Sequence, residues 1–442
     1  MSTSNGPRFQ TPAGVIIGRR DGAMVRATGI RYARAARFQA PVPEPDTAAP
    51  IEATTPGPAC PQVVDSILGQ ALGPVLAGVT YSEDCLRLSV TLPADVVPAE
   101  QLPVLFWIHG GSYVSGAGDL AFYDPVHLVT EQRVVVVAVT YRLGLFGFLG
   151  TANGPANLGL LDLLAALRWV QRNIVAFGGH PGNVTLLGHS SGGDAAAHLM
   201  ITEGAQGLFR RVILHSAPLG LARNRSAMTR AMAAAVGPFA AAASGDEVLA
   251  REPRAWAAAR RFGLKSGMPF GTQYGEFPLP AEAQSEVAWR AVAKDVDVLI
   301  GDTAEELRFF AVIDPKFNWL LRVPGLGAPI IRLLVKAGSH RIYSGPATTF
   351  ARRHARAGGR AYRFTFIYRA PGSVFGAAHT MDLPMLFGTQ QTWAGVPLLG
   401  QAKWADVEAA GRRVRQLWAD FARTGVLPSR MLIPEVLAVH QV

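Results

Sequence analysis

Gly188-His189-Ser190-Ser191-Gly192 sets a serine between two glycines with one residue on either side, the spacing of a nucleophile elbow. In a chain with 47 glycines that pattern arises by chance, so its flanks decide what it means. Residues 184–187 lead in as a short apolar strand, and small residues over 191–201 lead out as a helix. A strand–turn–helix holds a serine hydroxyl out on a tight turn, where flanking glycines let the backbone pack closely. The helix N-terminus also favours negative charge developing beside it. The chemistry implied is nucleophilic attack by Ser190 on an acyl carbon.

Such a serine needs a base for its proton and an acid to orient that base, and on this scaffold they follow in the order acid, then histidine. Of the later histidines, His198 falls in the next helix and His215 precedes every acid-bearing loop. His340 and His354 flank a basic helical stretch, and His440 lies in the tail. His379 stands in the loop Gly376-Ala-Ala-His379, shortly after a strand at 361–368. Catalytic groups of open α/β sheets gather at the carboxyl ends of strands, so His379 is the expected base. The acid belongs in the loop after a strand at 296–300, where spacing leaves Asp302, Glu305 and Glu306 as equal choices. A third element, His109-Gly110-Gly111-Ser112, follows the apolar strand 104–108. Its N–H groups can converge with that of Ser191 on a tetrahedral intermediate, each contributing about 3 kcal/mol.

These loops need a rigid sheet behind them. Residues 104–108 and 134–139 are continuous apolar runs, suited to strands buried on both faces of a mostly parallel sheet. Leu163, Leu167, Val170, Ile174 and Phe177 recur at helical spacing and stop at Gly178-Gly179. Val407, Val414, Trp418 and Phe421 do the same and stop at Gly425. An opening hairpin is predicted from 14–20 and 24–30 about Asp21-Gly22, and helical structure over 218–263. Alternating strands and helices predict a doubly wound α/β fold: one catalytic domain over 1–442, with its core at about 11–428. Helical pocket or lid insertions are expected at about 218–270 and 307–356. The most apolar long segment, 319–335, is interrupted by Arg322, Pro324, Pro329 and Arg332, which makes it pocket wall or lid rather than a membrane span.

Composition narrows the function classes. At 442 residues, 49% hydrophobic and 17% charged, the chain can bury a large core without a long disordered tail. The net charge of +10 comes from scattered single and paired arginines, a solvated basic surface rather than a nucleic-acid site. Residues 1–10 are polar and 14–18 too short for a secretory core, so a cytoplasmic location is expected. Cys60 and Cys85 are the only cysteines; they cannot build a tetrahedral zinc site alone and lack redox-motif spacing. They could close a loop of about 25 residues, worth about 3 kcal/mol, although cytosolic thiols usually stay reduced. No metal or cofactor is required by the chemistry.

The residues taken together resemble the type-B carboxylesterase family, which contains bacterial para-nitrobenzyl esterases and the cholinesterases. The likeness runs in order from about Gly14 to Pro428 through Gly29-Ile-Arg-Tyr-Ala33, Arg37-Phe38, Ser82-Glu-Asp-Cys-Leu86, Trp107-Ile-His-Gly-Gly111 and Tyr141-Arg-Leu-Gly-Leu-Phe-Gly-Phe148. It continues from Asn157 through Asn173-Ile174 and Phe177-Gly-Gly to the elbow. The resemblance implies an α/β-hydrolase fold, with Glu306 as the acid and His379 as the base. Its histidine motif falls on Gly376, His379 and Asp382, and its oxyanion donors on Gly111, Ser112 and Ser191. It also implies a Cys60–Cys85 disulfide and a buried Arg37–Glu83 ion pair.

This chain departs from the family where His189 and His180 stand at usually acidic positions, and Ser112 at a usual glycine or alanine. It is shorter than usual around 218–270 and at the C-terminus. Between the two cysteines the only aromatic is Tyr81, so the cation–π subsite of the cholinesterases is missing, and a chain of +10 does not attract cations. The expected activity is hydrolysis of neutral or anionic small-molecule carboxylic esters through an acyl-enzyme. A lipase or thioesterase acting on longer acyl chains is the nearer alternative, and a non-catalytic binding protein on the same scaffold the remoter one.

Overall fold

The computed structural model describes residues 6–63, 66–315, 317, 319, 323 and 326–442. Its centre is an eleven-stranded sheet. In chain order the strands are β1 (Arg19–Asp21), β2 (Met24–Arg31), β3 (Arg87–Pro93), β4 (Leu102–Ile108), β5 (Val135–Val139), β6 (Gly179–His189), β7 (Arg211–His215), β8 (Asp297–Thr303), β9 (Ala361–Phe366), β10 (Arg430–Ile433) and β11 (Leu437–Gln441). Across the sheet they lie in the order β10-β11-β9-β8-β7-β6-β4-β5-β3-β2-β1. From β9 to β5 neighbouring strands run parallel, and the strands beyond either end are antiparallel.

Why β4 is apolar at every position is visible in its packing. Val104, Phe106 and Ile108 enter the core on one side of the sheet, while Leu105 and Trp107 enter the core on the other. With both faces dry, a polar residue at either parity would lie buried without a partner. The helices that cover these faces include α1 (Leu158–Asn173), α2 (Ser191–Leu199), α3 (Arg308–Ile313), α4 (Gly327–Ser339), α5 (Gly345–Arg356) and α6 (Trp404–Thr424). α1 passes into a 3₁₀ turn that Gly178 ends at φ 74°, and Gly425 ends α6 at φ 72°. Over 218–263 the chain forms the helices Ser226–Val236, Gly245–Leu249 and Glu252–Ala259, whose Met228, Met232, Val248 and Ala255 complete the first core. No described helix is long and apolar enough to cross a membrane.

Two expectations need correction. The opening hairpin is split at Gly18: β1 and β2 form its tip, but Gly14–Ile17 pairs with Arg8–Thr11 in a separate small sheet. A Cβ at Gly18 would stand 2.6 Å from the Arg26 carbonyl oxygen, so the chain crosses between sheets where only glycine fits. His440 is not in a frayed tail but in β11, paired with Arg363 of β9, and the sheet runs past residue 428 to Gln441. Part of the 319–335 segment lies outside the described residues; its later part belongs to α4, which buries Ile331 and Val335 against Ala311. Between α4 and α5, His340–Ser344 makes a turn of π-helix.

Candidate active site

β6 ends at His189 and α2 begins at Ser191, leaving Ser190 alone on the turn at φ 56°, ψ −125°. Non-glycine residues rarely adopt such a backbone, and it persists only where the surroundings enforce it. Here Ser190 N–H donates to the His215 carbonyl at 2.8 Å, and the Ser190 carbonyl accepts from Asp194 N–H at 3.0 Å. Both elbow glycines are required by close approach. A Cβ on Gly188 would lie 2.3 Å from the Gly192 oxygen, and one on Gly192 would lie 2.1 Å from the Ile108 oxygen.

Glu306 follows β8 and is sealed from solvent. Its Oε2 lies 2.5 Å from His379 Nδ1, while Oε1 accepts from Thr303 N–H and from the Ser216 hydroxyl, each at 2.6 Å. The carboxylate is thus fixed by three donors, and the proton shared with His379 sits on Nδ1, which leaves Nε2 as the acceptor. The His379 ring packs beside His189, Tyr343 and Phe310, at centroid distances of 4.8, 5.5 and 5.9 Å. The two acids that spacing could not separate from Glu306 are engaged elsewhere. Asp302 pairs with Arg363, and Glu305 Oε2 forms an ion pair with Arg369 Nη1 at 2.6 Å and accepts from Ala377 N–H at 3.1 Å.

The glycine loop after β4 carries three successive positive φ angles: Gly111 at 109°, Ser112 at 55° and Tyr113 at 62°. At Gly111 a Cβ would stand 2.0 Å from the Ser115 carbonyl oxygen, so the loop curls as it does only because glycine is there. Val114 and Ser115 N–H close it onto the Gly111 carbonyl at 2.9 and 3.0 Å. Tyr113 ties it to α2, with its N–H on Ser191 Oγ at 3.2 Å and its hydroxyl on Asp194 at 2.7 Å. No described acceptor takes the N–H of Gly111 or Ser112. Ser190, His379, Gly111 and Ser112 all line one cavity. Leu72, Val75, Leu76, Phe122, Phe310 and Trp393 supply much of its apolar wall.

The model of the carboxylesterase family matches residues 5–319. The chain belongs to the carboxylesterase family. It is 37% identical to a probable N-octanoylanthranilate hydrolase of Rhodococcus erythropolis, over 94% of this chain and 93% of that one. With the para-nitrobenzyl esterase of Bacillus subtilis it shares 31% identity over 94% of this chain and 89% of the relative. Among solved structures, a thermophilic para-nitrobenzyl esterase superposes with a TM-score of 0.79 at 28% identity, covering 96% of this chain and 93% of that one. A carboxylesterase of Geobacillus stearothermophilus gives 0.73 at 28% identity, over 95% and 91%. The fold is that of the α/β hydrolases, and the protein is a carboxylic-ester hydrolase acting on small-molecule esters.

Against the family's usual features, two expectations change. Cys60 and Cys85 are free thiols, buried and hydrogen-bonded to each other, rather than a disulfide. The Arg37–Glu83 pair is bidentate but partly open, its side chains 24% and 32% exposed, with Arg37 also donating to the Ala243 carbonyl. One pair that is buried lies elsewhere: Arg142 Nη2 meets Asp162 Oδ1 at 2.7 Å with both side chains nearly sealed. Sequence reasoning did not find Ser216, Tyr343 or Phe310. Ser216 had a readable signal, following a buried strand as the catalytic loops do; the other two are brought in by helices whose boundaries the pattern leaves open. Among the described residues, the trio with metal-ligand spacing is His127, Glu131 and Glu408, and there Glu131 is already gripped by Arg415 at 2.8 and 2.7 Å.

Proposed function

We propose that Ser190, His379 and Glu306 form the catalytic triad and that this esterase works through an acyl-enzyme. His379 Nε2 takes the hydroxyl proton as Ser190 Oγ attacks the ester carbonyl. The N–H groups of Gly111, Ser112 and Ser191 receive the oxyanion, and His379 returns the proton to the departing alcohol. Water then repeats the sequence on the acyl-enzyme, releasing the acid and restoring the serine. The observation that carries this reading is the contact between buried Glu306 and His379 Nδ1, on the wall of the cavity that Ser190 lines. Glu306 holds one tautomer of the imidazole and stabilises its cation, which is the role such an acid serves.

The apolar wall suits uncharged acyl chains, and one relative is named for an octanoyl substrate. We therefore take medium-length acyl groups to be preferred over acetate and palmitate. A cytoplasmic setting would keep Cys60 and Cys85 reduced, in line with their free thiols. The test is steady-state and burst hydrolysis of para-nitrophenyl esters from acetate to palmitate, with Ser190→Ala as control. Activity lost in the variant, together with labelling of the wild type by a fluorophosphonate, supports the triad. Activity that survives Ser190→Ala overturns it, and an optimum at palmitate with activation at lipid interfaces would make the enzyme a lipase.

A further inference from the structure

We propose that His189 recognises a carboxylate carried by the substrate close to the scissile carbonyl, so that the preferred substrates are anionic esters. The proposal rests on the triad reading above. It starts from the charge of the cavity wall: among the described residues no Asp, Glu, Lys or Arg side chain lines it. Its ionisable groups are the imidazoles of His189 and His379 and the phenol of Tyr123. His379 has its Nδ1 committed to Glu306. Among the described residues the His189 ring has no hydrogen-bond partner. Its ring is 3% exposed, and its Nε2 stands 3.7 Å from Asp382 Oδ1 with neither atom holding a hydrogen-bond partner. Unsatisfied buried polar atoms cost about 1–3 kcal/mol each, so two facing each other call for a further component.

Asp382 is a fixed anion. Its Oδ2 accepts from His215 Nδ1–H at 2.5 Å, and His215 Nε2 in turn accepts from Trp418 Nε1–H at 2.5 Å. With one nitrogen donating and the other accepting, His215 is the neutral tautomer and offers Asp382 no charge. Burial opposes ionisation of Asp382 and the His215 Nδ1–H hydrogen bond favours it; the carboxyl is held below its usual range. The other nitrogen of His189, Nδ1, lies on the Gly110 side of the cavity wall, 3.2 Å from where a Cβ on that glycine would stand.

The groups facing His189 are Asp382, His379 and His215. Burial has the largest influence and holds its imidazole down to about 3, while Asp382 pulls upward. Without substrate the ring is therefore neutral at neutral pH. A substrate carboxylate at Nδ1 reverses this balance, because opposite charge favours the protonated ring. The imidazolium then donates Nε2–H to Asp382 and Nδ1–H to the substrate, one cation between two anions, with its proton taken up from solvent. The glutamate usual at this position in the family would instead repel both carboxylates.

The experiment compares each anionic ester with its neutral carboxamide isostere. One pair, 2-carboxyphenyl butyrate and 2-carbamoylphenyl butyrate, places the anion on the alcohol side. The other, phenyl hydrogen succinate and phenyl succinamate, places it on the acyl side. Dividing kcat/KM of the anionic member by that of the neutral one cancels the titration of His379. In the wild type the ratio is expected to rise as pH falls from about 8 to about 6, by up to about tenfold per pH unit for one proton taken up. In His189→Gln and His189→Asn it should fall at least about tenfold and lose its pH dependence. A ratio independent of pH in the wild type for both pairs overturns the proposal, and this measurement needs no variant to fold. An unchanged ratio and slope in both variants overturns it too. Hydrolysis that stays Ser190-dependent while showing no such discrimination rejects the anion site alone; hydrolysis that survives Ser190→Ala rejects the triad beneath it.

Discussion

Arg363 Nη2 lies 2.5 Å from Asp302 Oδ1, and both side chains are only 6% exposed. Arg363 also donates to the Ile300 carbonyl at 2.9 Å, so the pair bridges β8 and β9 within the sheet. Asp302 is thereby a structural ion, whereas Glu306, four residues on, faces the imidazole. Glu306→Gln should lower kcat/KM by about 10³- to 10⁴-fold by favouring the wrong tautomer. Asp302→Asn should lower it far less but cost about 3–5 kcal/mol of stability, since it strands a buried guanidinium. Kinetics and urea unfolding of the two variants check both halves, and the reverse ranking of rates would remove Glu306 from its role.

Stability should fall on mild acidification through buried histidines. Burial holds the imidazoles of His109 and His354 down to about 4, although each is hydrogen-bonded to a carbonyl that pulls upward. A folded value below the unfolded 6.5 means that the neutral form is favoured by folding. Their contribution is complete above about pH 6.5 and is lost as pH falls towards about 4, at about 3 kcal/mol for each. Urea midpoints across that window should drop steeply, and His354→Gln should flatten part of the slope.

The glycine loop separates two roles that one substitution at either site would confuse. Ser112→Gly keeps the N–H and relieves a positive φ, so kcat should stay within about threefold of the wild type. Gly111→Ala sets a methyl against the Ser115 carbonyl and displaces the donors, which should cost about 10²- to 10³-fold in kcat. Large losses in Ser112→Gly would show that the hydroxyl, not the N–H, serves the reaction.

Thiol titration checks the cysteine pair. Protein from a reducing host should react slowly when native, because Cys60 and Cys85 are buried and the Cys85 thiol is pushed well above its usual range by its Cys60 hydrogen bond and by burial. Both thiols should react once the protein is unfolded. Oxidation to a bridge should stabilise the fold by about 3 kcal/mol, read as a higher unfolding midpoint.

The elements that position the site were legible wherever one pattern dictated one structure. Apolar β4, the amphipathic runs of α1 and α6, and the strand–turn–helix around Ser190 all follow from periodicity and glycine placement. The acid was not readable from spacing alone. Asp302, Glu305 and Glu306 lie within five residues, and what separates them is the partners folding brings: Arg363, Arg369 and His379, each distant in sequence. The split at Gly18 was hidden because its cause is a carbonyl eight residues away across a strand pair. Tyr343 escaped because it sits on a π-helical turn, which carries no periodic signal of its own.

The place of β11 in the sheet has a practical consequence. It covers the outer edge of β9, with Leu437 opposite Phe366, and the loop bearing His379 leaves from that end of β9. Cutting the chain before Leu437 would bare the backbone donors and acceptors of β9 while leaving every residue of the proposed triad in place. An unpaired edge of this kind templates association with other chains. Such a truncated protein is therefore expected to aggregate during expression, and protein made for assay or crystallisation should keep residues 437–441 and carry any tag beyond them.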